Sequence, residues 1–155
     1  MVVNAWKNDK PNGYDDYSPT LSKTYGNDED FVMADDPARK ILGGDWQVPT
    51  KTIWKALRTA IGTKISSSNG SEVIIDGIKG RKFTKTDGSN TYIFLPHAGS
   101  LQKKEYLYGD YFPYWTSTEI YCFDISGRSK STYTCFTLTD RRWGMTIRAV
   151  RLVAE

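Results

Sequence analysis

Near residue 70 the spacing of apolar residues changes from a helical to a two-residue period, and this change limits the possible folds more than any other feature of the chain. Before it, Thr50 stands as an N-cap, and Ile53, Trp54, Leu57 and Ile61 recur at helical spacing until Gly62. That pattern predicts a helix over 50–62 with one apolar face. A shorter helix is expected over 35–43, where Asp35 and Asp36 are read as caps, Pro37 opens the first turn and Gly43 lies past the end. From Glu72 onward, β-branched and aromatic residues are punctuated by Asp76-Gly77, Gly80 and Thr86-Asp87-Gly88-Ser89-Asn90. These signals predict strands at 72–75, 79–85 and 91–95, followed by strands at 114–118, 120–126, 132–138 and 145–152. Helices first and a largely antiparallel sheet afterwards give an α+β class.

A chain of 155 residues fits one domain, 1–155, able to bury about 70% of the surface exposed by its unfolded form. No apolar run approaches the roughly 20 residues of a membrane span, and Met1 to Trp6 lack a basic region followed by a long apolar stretch. Charge is distributed unevenly. Residues 9–36 carry eight acids against Lys10 and Lys23, a net of −6, whereas 128–151 carry six bases against Asp140, a net of +5. No stacking motif or run of Lys and Arg accompanies the basic block, so it is read as a solvated or internally paired face, with no nucleic-acid partner.

The last third of the chain is the least ordinary. Tyr114-Trp115-Thr116-Ser117-Thr118 and Arg141-Arg142-Trp143-Gly144-Met145-Thr146-Ile147-Arg148 bracket a mixed segment holding Tyr121, Cys122, Phe123, Arg128, Tyr133, Cys135 and Phe136. Neither a core nor a loop rule writes such a segment. Aromatic side chains make up 14% of the chain, and they supply rigid contact area at low entropic cost. A recognition surface held by a frame is the expected arrangement.

Four blocks, in order, resemble the Fibrobacter succinogenes major paralogous domain: Gly43-Gly44-Asp45-Trp46-Gln47-Val48-Pro49-Thr50; Phe94-Leu95-Pro96-His97-Ala98-Gly99; Tyr114-Trp115-Thr116-Ser117-Thr118; and Arg141 to Gly144 with Ile147-Arg148-Ala149-Val150-Arg151. The resemblance covers 35–151, with Gln47 where Arg is usual and His97 where Ala is usual. It implies a C-type-lectin-like fold with two helices, a small, mainly antiparallel sheet, and N- and C-terminal strands that meet. It also implies a bacterial or phage protein displayed at the surface or secreted. Some similar domains are variable proteins of diversity-generating retroelements, and the corresponding diversified segment here is 119–143.

Calcium-dependent sugar binding is not expected. The prolines of Val48-Pro49-Thr50, Leu95-Pro96-His97 and Phe112-Pro113-Tyr114 lack the flanking carboxylates and amides of such lectins, and Asp28-Glu29-Asp30 lacks the spacing of an EF-hand loop. His97 is the only histidine, which excludes a His-rich metal site, and it is read as a loop or core residue. No metal or other cofactor is expected. A turn at 127–130 pairs Cys122 with Cys135, so either a cross-strand disulfide or two free thiols is compatible with the spacing. The two cysteines also keep open a cysteine-dependent oxidase of the formylglycine-generating type. The preferred reading is a non-enzymatic domain that binds a protein or glycan through Tyr121, Phe123, Arg128, Tyr133, Arg142 and Trp143. Trp46, Trp54 and Trp115 are assigned to the core, and Trp54 and Leu57 are expected to face a sheet containing Ile93 and Ile147.

Overall fold

The protein is α+β: among the described residues two helices lie in its first half, and antiparallel strands dominate the rest. The computed structural model describes residues 8–9, 15–16, 22–23, 25, 29–62, 64–65, 70–102, 105–107, 111–118, 121–128, 131–138 and 144–151. Strands β1 (Asn8–Asp9) and β2 (Asp15–Asp16) pair with each other. Asp36 then caps helix α1 (Pro37–Leu42), accepting from the Ala38 and Arg39 amides at 2.8 and 3.1 Å. Its second oxygen accepts from the Val48 amide at 2.9 Å, which fixes the helix to strand β3 (Trp46–Gln47) and the residues after it.

Thr50 caps helix α2 (Lys51–Ile61) by accepting from the Ile53 amide at 3.1 Å. At the other end, the Thr86 amide donates to the Ala60 carbonyl at 2.9 Å, satisfying a group that a helix terminus would leave open. Strand β4 (Lys64–Ile65) follows the helix. A meander comes next, with β5 (Gly70–Ile75), β6 (Ile78–Thr84) and β7 (Tyr92–Pro96) in sequence order. Its first turn has Asp76 at φ 51° and Gly77 at φ 75°, the double positive φ of a two-residue hairpin loop that Asp-Gly favours.

Two further sheets complete the strand-rich part. Strands β8 (Ser100–Gln102), β9 (Glu105–Leu107) and β13 (Gly144–Met145) form one, with β8 central. Strands β10 (Tyr111–Trp115), β11 (Tyr121–Arg128) and β12 (Ser131–Leu138) form the other, with β4 at the far edge. Strand β14 (Val150–Arg151) pairs with β3, so the strand nearest the C-terminus joins residues 46–47 rather than β1 or β2. The single strand expected over 145–152 is therefore two short strands serving different sheets, with Thr146 bridged to Tyr114 between them.

Trp54, Ile61, Phe83, Leu95, Phe112, Tyr114 and Phe123 form the buried core, with Leu57 and Ile93 packed against it. This bears out the expected packing of Trp54 and Leu57 near Ile93. Ile147 belongs elsewhere, in a groove beside α1. Among the described residues no helix is long and apolar enough to cross a membrane.

Candidate functional site

The segment 115–118 is a joint at which distant parts of the chain meet. The Trp115 amide donates to the Thr146 carbonyl at 2.9 Å, and the Trp115 carbonyl accepts from the Trp54 indole at 3.2 Å. Ser117 donates its amide to the Pro49 carbonyl at 3.0 Å and accepts the Phe31 amide at 2.9 Å. The Thr118 hydroxyl accepts the Lys51 amide at 2.9 Å and donates to the Asp30 carboxylate. Thr116, Ser117 and Thr118 are all buried; the two threonine hydroxyls make internal hydrogen bonds, whereas Ser117 is held through its backbone and its buried hydroxyl has no partner among the described residues. These bonds account for the two threonines of the aromatic-Trp-Thr-Ser-Thr block.

Next to the joint, Asp35 makes a second tether. It was expected to cap α1, but its carboxylate instead accepts from the Ser22 amide at 2.8 Å, the Ser22 hydroxyl at 2.7 Å and the Tyr25 hydroxyl at 2.6 Å. Burial favours the neutral acid, yet the hydrogen bonds from Tyr25 and Ser22 outweigh it and hold this carboxyl below its ordinary value. Asp36 is shifted the other way. There burial dominates over the three amides it accepts, and the carboxyl is raised.

The hairpin β11–β12 carries four of the six residues predicted for binding. Phe123 must be reassigned: it is fully buried, its ring stacked on Trp54 at 4.4 Å and 7°. Tyr121 has the same strand parity as Phe123 and lies opposite Leu138, at the far end of the hairpin from Arg128 and Tyr133. Arg128 and Tyr133 share the opposite parity, Arg128 beside Ser131 and Tyr133 beside Ser126. Arg142 and Trp143 lie outside the described residues. The structure therefore brings Arg128 and Tyr133 together near one end and separates Tyr121 from them.

Hairpin register also differs from expectation. Arg128 pairs with Ser131, so the connection has two residues, and Cys122 pairs with Thr137 while Cys135 pairs with Asp124. The cysteines occupy diagonal rather than facing positions. His97 behaves as a core histidine, 7% exposed and stacked on Phe112 with ring centroids 3.5 Å apart. Tyr114 donates its hydroxyl to the Pro96 carbonyl, and burial pushes its phenol far above the ordinary tyrosine range. Among the described residues no cluster of three or more His, Cys, Asp or Glu is placed to hold a metal ion.

A groove of about 330 Å³ beside α1 was not anticipated. Ile41, Leu42, Trp46, Ile147 and Arg148 line it, with the small side chains of Ala38 and Ala149. Trp46, assigned to the core from sequence, is 36% exposed here, and Ile41 and Leu42 are 44% and 45% exposed. The displacement of Trp46 has a local cause: among the described residues β3 pairs only with β14, and register sets Trp46 beside Arg151, whose guanidinium lies 5.8 Å from the indole centroid. The adjacent Ile41-Leu42 pair at the end of a helix was the available sequence signal, since a short capped helix has room to bury only one side. Comparison of the chain with protein-family models, with curated proteins and with solved structures returned no match.

Proposed function

We propose that the protein is a non-enzymatic, calcium-independent ligand-binding domain with a C-type-lectin-like fold. It presents the segment 119–143 to a protein or glycan at a bacterial or phage surface. The observation that carries this reading is the division of labour along β11. Phe123 is buried against Trp54 of α2, while positions 122, 124, 126 and 128, paired with 137, 135, 133 and 131, take the opposite strand parity. Such a hairpin tolerates change at one parity while the other keeps the fold. The resemblance to domains diversified in the corresponding segment supports the same reading.

A screen on glycan arrays and cell-surface protein arrays tests it, repeated with an Arg128→Ala, Tyr133→Ala, Trp143→Ala variant whose folding is verified by melting. Truncation of aromatic and Arg anchors costs about 2 kcal/mol or more at a binding centre, a loss of roughly 30-fold or greater. A folded variant that binds the discovered ligand as tightly as the parent places recognition outside this hairpin.

A further inference from the structure

Independently of the hairpin, we propose that the groove between α1 and residues 147–151 docks an extended peptide segment of a partner protein, one that pairs a large apolar side chain with a neighbouring carboxylate. The groove supplies both halves of that recognition. Ile41, Leu42 and Trp46 expose large apolar surfaces around it, and solitary exposed apolar residues need no explanation whereas three lining one concavity do. Arg148 lines the same concavity and is exposed, and Arg151 stands over the Trp46 ring at its edge. Among the described residues neither guanidinium has a carboxylate partner, so the charge facing an incoming ligand is positive and suited to bidentate pairing. Trp and Arg are also the side chains that most often dominate binding energy at interfaces.

Size and chemistry select the peptide. A volume of about 330 Å³ accepts one large side chain and part of its neighbour, at the low end of ligand pockets. Among the described residues Arg148 is the only charged side chain in the lining and the Trp46 indole N–H the only other polar side-chain group, whereas a sugar requires several amides, carboxylates or hydroxyls directed at its ring. The ribbon β3–β14 beside the groove has two strands, each with one edge unpaired among the described residues. An extended segment can add main-chain hydrogen bonds to such an edge while alternate side chains enter the groove.

The test measures fluorescence anisotropy of two labelled hexapeptides, Asp-Glu-Phe-Leu-Glu-Asp and its amide counterpart Asn-Gln-Phe-Leu-Gln-Asn, with the parent, Trp46→Ala and Arg148→Gln proteins. The acidic peptide is expected to bind the parent, and to bind at least about tenfold more weakly when its acids are amidated, when Arg148 becomes Gln or when Trp46 becomes Ala. Melting temperatures of the Arg148→Gln protein and the parent are expected to agree, since that side chain is exposed. Equal binding of both peptides, parent-like binding by Arg148→Gln, or no binding of the acidic peptide overturns the proposal. So does saturation of the groove by dodecanoate alone, or by a second copy of the chain in sedimentation.

Discussion

The indole of Trp54 lies flat against the ring of Phe123, 4.4 Å between centroids and 7° from parallel, so that α2 and the centre of β11 share one contact. Tyr114 meets the same indole at 5.7 Å and 52°. The three rings join helix to sheet at the point where the candidate recognition hairpin begins its path.

Removing the indole should cost more here than the loss of apolar contact alone. Trp54 is 2% exposed, and its Nε1 donates to the Trp115 carbonyl, which a truncation leaves without that donor. Trp54→Ala is expected to lower the unfolding free energy by about 3–5 kcal/mol, and Trp54→Phe by less. Urea denaturation followed by circular dichroism measures both, and a Trp54→Ala protein as stable as the parent contradicts the packing described.

Two glycines in the meander should fail for different reasons. A Cβ on Gly80 would stand 2.5 Å from the Phe94 ring and 2.6 Å from the Leu95 carbonyl oxygen, so Gly80→Ala is expected to cost about 1–3 kcal/mol through overpacking. Gly77 has open space around it but sits at φ +75°, so Gly77→Ala is expected to cost about 1–2 kcal/mol through backbone strain. Gly77→Asn, which tolerates that φ better, should recover part of the second loss in thermal melts and none is expected from Gly80→Asn.

Asp35 gives the stability a definite acid limb. Its carboxyl ionises more readily in the folded chain than in the unfolded one, so its contribution is present above the ordinary Asp range near pH 4 and is lost as pH falls through the depressed value. Asp35→Asn is expected to be less stable at pH 7 by about 1–3 kcal/mol, because Tyr25 and Ser22 lose a charged acceptor. Its stability should also fall less steeply than the parent's between about pH 4 and pH 2. Parallel slopes in the two proteins, read from urea midpoints across that range, would remove Asp35 as the cause.

The diagonal placement of Cys122 and Cys135 predicts two reactive thiols in the unfolded protein prepared without reductant. Diagonal positions in an antiparallel pair stand about 7–8 Å apart, beyond the span that a disulfide bridges without backbone movement. Thiol titration in denaturant counts them, and an intramolecular disulfide would require the facing register instead.

Local signals carried much of the architecture. Thr50, the spacing of Ile53 through Ile61, and Asp76-Gly77 specify their helix and turn within a few residues, and both formed as read. The misreadings lie where the deciding partner is distant in sequence. Asp35 looks like a cap until Ser22 and Tyr25 reach it, Trp46 looks like core until β14 arrives beside it, and Phe123 looks like surface until α2 covers it. Hairpin register escaped for a different reason: residues 127–130 contain turn formers over four positions, and composition alone does not choose between a two-residue and a longer connection. Of the candidate site, the Arg128 and Tyr133 neighbourhood was legible as a residue type and the groove was not, because its walls come from α1 and from residues more than a hundred positions later.

The joint at 115–118 also orders events during synthesis. Thr118 binds Asp30 across a separation of 88 residues and Lys51 across 67, while Trp115 holds Trp54 across 61. Each of these closures carries the entropy of a long loop, and none can form on a ribosome that has not yet released residues 115–118. Helix α2 can gather Phe83 and Leu95 of its core earlier, but Phe123 and Tyr114, the rings against Trp54, arrive only after roughly a third of the chain more has been translated.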